Sequence, residues 1–198
     1  MEYEFFDIVY LVGFLLATLI RTYYGLQFRR KQVFWAQREH PAVFLGMIIW
    51  GIALLLPLIA MSTDWLKFAA YDSAIGLRVL GVPVFIGSVW LLWLSHRDLG
   101  RNFSPSLLIR KEHQLVTTGV YEKIRHPMYL SFFLWAIGQA LIIANWLAGP
   151  LGLLGFGLIY IFRVQREEQQ LLELFGDTYR EYLRNTGRLL PRWEQGNK

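Results

Sequence analysis

Two groups of polar residues in the carboxyl-terminal half of the sequence could carry chemistry. Residues 125–129 (RHPMY) precede an apolar stretch, whereas Arg163 and Glu167 follow another. Pro127 suits the first turn of a helix, because the N–H group that proline lacks would have no helical acceptor there. A helix that begins at this point presents backbone N–H groups and the positive end of its dipole, which can bind a carboxylate. Arg163 and Glu167 are four residues apart and therefore share one helix face.

The same residues have structural interpretations that the sequence leaves open. His126 could do no more than cap a helix, Arg163 could extend its guanidinium to lipid headgroups, and Glu167 could do no more than pair with Arg163. The other three histidines stand apart without metal-ligand spacing, so no metal site is predicted. The absence of cysteine excludes a disulfide scaffold and a thiol nucleophile.

The composition indicates an all-α integral membrane protein. Hydrophobic residues make up 55% of the 198 residues and charged residues only 18%, whereas soluble domains contain about 25% charged residues. Five apolar stretches of about 16 to 20 residues are each candidates for a transmembrane helix. They are residues 5–20, 42–61, 76–95, 128–144 and 147–162. Because only two residues separate the last two stretches, they are predicted to form an antiparallel hairpin.

The distribution of positive charge supports this arrangement and predicts its orientation. Five spans place residues 21–41, 96–127 and 163–198 on one side, and these segments hold 18 of the 20 Lys and Arg residues. The exceptions are Lys67 and Arg78. By the positive-inside rule, the amino terminus lies outside and the carboxyl terminus in the cytoplasm. Membrane topology thus explains the net charge of +5, and no nucleic-acid partner is predicted.

The chain is interpreted as a single membrane domain, residues 1–198. Residues 1–95 contain three amino-terminal spans, and residues 96–198 form the catalytic part with the helical hairpin 128–162. Breakers such as Gly100 and Gly119 predict an irregular segment between these parts. After the fifth span an amphipathic continuation ends at Gly176, and a short helix from Asp177 to about Asn185 follows. Four glycines inside the fifth span, Gly149, Gly152, Gly155 and Gly157, predict close helix packing rather than a dinucleotide site.

Several separate blocks together resemble the isoprenylcysteine carboxyl methyltransferase family and the related phospholipid methyltransferases. The resemblance extends from about Gly100 to Pro191, and the chain length is similar to that of the smaller prokaryotic-type members. The blocks are residues 113–116 (HQLV), 118–121 (TGVY), 125–129 (RHPMY), Arg163, Glu167-Glu168, Phe175-Gly176, Tyr179, Tyr182 and Leu190-Pro191.

The resemblance implies a non-Rossmann site for S-adenosyl-L-methionine on the cytoplasmic face of a plasma or inner membrane. It implies that Arg163 and Glu167 are catalytic, and that Arg163 binds the carboxylate of a lipid-like methyl acceptor. Residues near positions 126 and 167 must then converge in space. By the same resemblance the cofactor-binding residues are His113, Gln114, Leu115, Val116, Tyr121, His126, Pro127, Met128, Tyr129, Glu167 and Glu168.

Four functions remain possible at this stage. The first is carboxyl O-methylation of a prenylated cysteine or a similar acid, and the second is N-methylation of a phospholipid amine. The third is reduction by an NADPH-dependent sterol-type reductase, whose sequences have a similar His-Pro-x-Tyr region. The fourth is a scaffold or transport protein, which is disfavoured because the sequence lacks internal repeats. The sequence predicts no oligomeric state.

Overall fold

The computed structural model describes residues 2–29, 35–36, 40–103, 108–109 and 114–192. His113, one of the predicted cofactor-binding residues, lies outside the described residues. The architecture is helical as expected, apart from two short paired strands that the sequence did not predict. The elements in chain order are α1 (Glu2–Arg29), β1 (Trp35–Ala36), α2 (Pro41–Ser62), α3 (Ile75–Leu99), β2 (Leu108–Ile109), α4 (Pro127–Ile142), α5 (Leu151–Phe175) and α6 (Asp177–Asn185).

Three helices in the described part of the chain are long and apolar enough to cross a membrane. They contain the segments Glu4–Gln27, Pro41–Ser62 and Ile75–Leu99. Their outer faces expose large hydrophobic side chains such as Leu19 and Phe44, as expected for surfaces in contact with lipid. The first three predicted spans thus correspond to α1, α2 and α3. The helix α4 is apolar but shorter, so the count of five spans stays a prediction.

The boundaries of two helices differ from the sequence-based expectation. The helix α3 continues four residues beyond the predicted end and stops at Gly100, whose φ of +50° favours glycine. The helix α5 begins at Leu151 rather than at residue 147. Before it, Asn145 Oδ1 accepts hydrogen bonds from the backbone N–H groups of Leu147 and Ala148, each at 3.0 Å. These side-chain contacts extend the turn of the predicted hairpin.

The helices pack as two long pairs joined through α4 and α5. The helix α3 packs along α4, and α2 packs along α5, while α1 lies mainly on α3 and touches α2 only sparsely. Glycines permit the closest approaches: a Cβ atom at Gly155 would lie 2.6 Å from the backbone nitrogen of Trp50. One buried cluster contains Tyr10, Phe85 and Trp135. A second surrounds Phe156 and holds Tyr129 at one end of the bundle.

Candidate active site

The chain after α6 pairs with the segment that leads into α4. The backbone N–H of Arg125 donates to Gly187 O at 2.8 Å, and the N–H of His126 donates to Arg188 O at 3.0 Å. These bonds form a short parallel bridge beside the start of α4. They bring the side chains of Arg125, His126 and Arg188 to the polar continuation of α5.

Glu168 of α5 contacts all three of these side chains. Its Oε1 lies 3.2 Å from Arg125 Nε, 3.2 Å from His126 Nε2 and 3.1 Å from Arg188 Nε. A second nitrogen of Arg188 donates to Oε2. Burial by itself would raise the pKa of Glu168, but the hydrogen bonds from His126 and Arg188 and the charge of Arg125 lower the pKa to about 2. Glu168 is therefore ionised, and it links α5 to the segment before α4 and to the chain after α6.

Glu167, the neighbouring carboxylate, is more accessible and has a different set of contacts. Its Oε2 accepts a hydrogen bond from the hydroxyl of Tyr129, and its Oε1 lies 3.9 Å from His126 Nδ1. The rings of His126 and Tyr129 stack with centroids 5.2 Å apart. The side chain of Glu167 is 31% exposed, compared with 11% for Glu168. The expected convergence of positions 126 and 167 is confirmed.

The amino terminus of α4 lies beside these carboxylates. Pro127 occupies its first turn, and the side chain of His126 makes no capping hydrogen bond. The first turn of a helix presents N–H groups that have no acceptor within the helix. A site with a partly exposed carboxylate next to such a terminus can bind a ligand that carries both a cation and an anion.

Tyr121 links this region to α3 and α6 through two hydrogen bonds. Its buried hydroxyl donates to Ser95 O at 3.3 Å, and its carbonyl oxygen accepts from the hydroxyl of Tyr182 at 2.5 Å. Burial, with a contribution from the charge of Glu167, raises the pKa of Tyr121 well above the ordinary value. Burial likewise raises the pKa of Tyr182 to about 12. The hydroxyl of Tyr121 points toward α3, so we expect this residue to support the site through its packing.

The predicted residues Gln114, Leu115 and Val116 occupy an irregular segment before Tyr121. Gln114 is exposed and its backbone N–H donates to Asn102 Oδ1 at 2.9 Å, while Leu115 and Val116 are half-buried. Within the described residues, no hydrogen bond or ion pair joins these three to His126 or Glu167. Their cofactor contacts stay a prediction.

The remaining predicted residues lie on α4 and α5. Pro127 is fully buried, and Met128 packs partly buried against the cluster around Phe85. Arg163 is half-buried one turn before Glu167 on α5. Its positive charge interacts with that of Arg21 on α1.

The sequence analysis did not include Arg125, Arg188 or Tyr182 among the site residues. Arg125 could have been found, because it belongs to the same motif as His126. Tyr182 likewise belongs to one of the blocks that carry the resemblance. Arg188 had no local signal, because its partner Glu168 meets it only in the folded chain.

The chain is similar to known proteins of one family. Residues 79–173, from the second turn of α3 into the last turn of α5, match the model of the isoprenylcysteine carboxyl methyltransferase (ICMT) family. The chain is similar to the protein-S-isoprenylcysteine O-methyltransferase of Saccharomyces cerevisiae, with 37% identity over 64% of this chain and 54% of the yeast protein. The enzyme of the same name from Schizosaccharomyces pombe is 32% identical over 63% of this chain and 51% of that protein. The chain spans about half the length of these curated relatives.

A solved structure shows the same relationship in three dimensions. The eukaryotic intramembrane Ras methyltransferase ICMT superposes with a TM-score of 0.53 and 28% identity, covering 76% of this chain and 50% of that one. With its three long apolar helices, the chain is an integral membrane protein. The family model, the curated relatives and the solved structure together confirm the sequence-based resemblance to the isoprenylcysteine carboxyl methyltransferase family.

Proposed function

We propose that the protein is an S-adenosylmethionine-dependent carboxyl O-methyltransferase for a lipid-like acid of the prenylated-cysteine type. The observation that carries this proposal is that Tyr129 on α4 and His126, just before α4, both contact Glu167 on α5 at the end of an apolar bundle. The names of the relatives, which are isoprenylcysteine O-methyltransferases, support the same reaction.

The residues present fit the proposed cofactor. S-adenosylmethionine carries two cationic groups and one carboxylate. Glu167 offers a partly exposed carboxylate to a cation, and the amino terminus of α4 offers N–H groups to an anion. We infer that Tyr129 holds Glu167 in its orientation and that Glu168 holds His126.

The cofactor would supply an electrophilic methyl group, and the chain must align a nucleophile with it. A carboxylate is ionised near neutral pH, so its oxygen can form the bond to the methyl carbon without a general base. Arg163, half-buried one turn from Glu167, would hold this carboxylate and orient it. The apolar helices around the site would limit the access of water, so that positioning provides most of the rate enhancement.

Methylation of a carboxylate suits this site better than methylation of a phospholipid amine. An amine must lose a proton during the reaction and therefore needs a base. Glu168, the more buried of the two carboxylates, is engaged by three side chains, and its pKa of about 2 makes it a poor proton acceptor. The names of the relatives also favour methyl transfer over reduction by NADPH.

We further propose that the active site faces the cytoplasm of a plasma or inner membrane. The His126–Glu168 contacts lie between the segments 96–127 and 163–198, which are rich in Lys and Arg. By the positive-inside rule these segments stay cytoplasmic. The cofactor would then enter from water and the lipid-like acceptor from the bilayer.

Detergent-purified protein can test the reaction with a radiolabelled methyl donor. We expect label on N-acetyl-farnesylcysteine that mild base releases as volatile methanol, as an ester requires, and no label on phosphatidylethanolamine. Calorimetry should detect binding of S-adenosylhomocysteine and no binding of NADPH. Label on the phospholipid alone, or binding of NADPH alone, would contradict the proposal. Glu167→Gln should weaken the binding of S-adenosylhomocysteine.

A further inference from the structure

A cavity of about 380 Å³ lies at the end of the bundle opposite the candidate active site. Its wall includes Ile143, directly after α4, whereas the candidate site lies at the start of the same helix. With a rise of 1.5 Å per residue, the 16 residues of α4 separate the two by about 24 Å. The volume is within the range of small-molecule sites, about 300–1,000 Å³. The cavity is therefore large enough for a ligand of its own.

Charged residues of both signs line this cavity. Asp7 on α1 and Arg78 on α3 each lie three residues after the start of an apolar segment that is long enough to cross a membrane. Lys67 and Asp72 come from the loop between α2 and α3. Among the described residues that line the cavity, these two acids and two bases are the charged ones, so their formal charges cancel. Ionisable groups within membrane helices are costly and usually mark a functional site.

The two cations of the cavity differ in how firmly they are held. Arg78 is buried, its Nε donates to Ile142 O at 3.0 Å, and its guanidinium carbon lies 4.1 Å from the ring centroid of Phe6. A guanidinium can share its N–H groups among several acceptors, and a guanidinium in a fixed position is well suited to bind phosphate. Lys67 is exposed and pairs with Asp64 at 2.8 Å. Its ammonium has three donors and can therefore bind a second anion as well.

Aromatic residues beside the cavity indicate the headgroup level of the membrane. Tyr71 lines the cavity, and its ring packs on the exposed Trp146 with centroids 4.8 Å apart. The same loop exposes Trp65 and Phe68. The backbone N–H of Tyr71 donates to Ala144 O at 3.1 Å, which holds this loop on the turn after α4. Trp and Tyr are enriched at membrane–water interfaces, so phospholipid headgroups are the most abundant ligands at this level.

We propose that the cavity binds the headgroup of a zwitterionic phospholipid with a primary ammonium, of the phosphatidylethanolamine type. Arg78 and Lys67 bind the phosphate, and Asp7 and Asp72 bind the ammonium. A primary ammonium donates hydrogen bonds to carboxylates, whereas the trimethylammonium of phosphatidylcholine has no N–H to donate. An anionic headgroup such as that of phosphatidylglycerol would place no cation beside the two carboxylates. This lipid is bound far from the methyl-transfer site, so the inference goes beyond the proposed function and does not depend on it.

Lipid titration of the delipidated protein in detergent, followed by native mass spectrometry, tests the proposal. The ligands are phosphatidylethanolamine, phosphatidylcholine and phosphatidylglycerol with identical acyl chains, and sn-glycero-3-phosphoethanolamine as the headgroup without chains. Asp7→Asn and Lys67→Gln each remove one charge of opposite sign from the cavity. Asp177→Asn, at an exposed carboxylate on α6, is the matched control. Because Lys67 is exposed, Lys67→Gln keeps the test decisive if Asp7→Asn fails to fold.

We expect the wild type to bind phosphatidylethanolamine more tightly than the other two lipids, and the free headgroup much more weakly. Asp7→Asn should raise the Kd for phosphatidylethanolamine about 10-fold, the loss of a charged hydrogen bond, without weakening the binding of phosphatidylglycerol. Lys67→Gln should weaken the binding of both lipids, because both carry the phosphate, and Asp177→Asn should resemble the wild type. Equal binding of the three lipids by the wild type, or an unchanged Kd for phosphatidylethanolamine in Lys67→Gln and in a folded Asp7→Asn protein, would overturn the proposal. A free headgroup that binds as tightly as the lipid would overturn the phospholipid as the occupant.

Discussion

The hydroxyl of Tyr129, in the first turn of α4, donates a hydrogen bond to the carboxylate of Glu167 on α5. The ring of the same tyrosine stacks on His126, which contacts the next carboxylate along α5, Glu168. Two adjacent carboxylates therefore have separate roles. Glu168 is enclosed by cationic side chains and connects the loops, whereas Glu167 is partly exposed and is oriented by a single hydroxyl.

Tyr129→Phe should separate two roles of Tyr129: its hydroxyl orients Glu167, and its ring packs on His126. The variant keeps the ring that stacks on His126 and removes the hydroxyl, so we expect a Kd for S-adenosylhomocysteine that is about 2- to 10-fold higher, as one lost hydrogen bond predicts. The thermal midpoint should change little. Calorimetry and thermal unfolding in detergent measure the two quantities. Tyr182→Phe is the contrasting variant: its hydroxyl bonds Tyr121 O, so the midpoint should fall. An unaltered Kd in Tyr129→Phe would disprove the orienting role of the hydroxyl.

Glu168→Gln should remove a pH-dependent contribution to stability. Folding lowers the pKa of Glu168 from its ordinary value of 4.5 to about 2, so the folded state is stabilised at pH values above 4.5. This contribution, on the order of 3 kcal/mol, is lost as the pH falls through the range from 4.5 to 2. The thermal midpoints of wild type and variant should differ most at neutral pH and converge toward pH 2. Glu181→Gln, at an exposed position on α6, is the control. A constant difference between wild type and Glu168→Gln across this range would show that charge is not the cause.

Local patterns in the sequence predict those parts of the fold that depend on local interactions. The short helix α6 runs from Asp177 to Asn185 as expected, because the breaker Gly176 sets its start. The apolar lengths likewise identified α1, α2 and α3. The start of α5 was predicted too early. Hydropathy does not indicate that the side chain of Asn145 would accept hydrogen bonds from the next residues and hold them in a turn.

The candidate site was predictable only in part, because some of its contacts join residues that are distant in the sequence. The motif around His126 and the pair Arg163 and Glu167 are recognisable from spacing. Arg188, which binds Glu168, is brought there by the bridge between residues 124 and 187, and no local pattern reports such a contact. The first span was predicted to end at residue 20, but α1 continues to Arg29.

Gln139→Leu should destabilise the bundle, because this buried side chain connects several elements. Its amide nitrogen donates to Ala53 O at 2.9 Å and to Ala148 O at 2.6 Å, and its Oε1 accepts from Trp135 Nε1 at 2.9 Å. Removal leaves the indole N–H without this acceptor, which costs about 1–3 kcal/mol. We expect a lower thermal midpoint in detergent. Gln27→Leu, at an exposed position of α1, should be neutral. A Gln139→Leu protein as stable as the wild type would mean that these hydrogen bonds contribute no net stability.

Gly155→Ala and Gly157→Ala form a matched pair that tests the close approach of α2 and α5. A Cβ atom at Gly155 would lie 2.6 Å from Trp50 N and 3.0 Å from Ile49 C, whereas no atom lies within 4 Å at Gly157. Because the contacted atoms at Gly155 belong to the backbone, the two helices must separate, at a cost of about 1–3 kcal/mol. Gly157→Ala should be neutral or slightly stabilising, since alanine is the better helix former. Thermal unfolding of the two variants measures the difference. Equal behaviour of the two variants would contradict the close packing of α2 on α5.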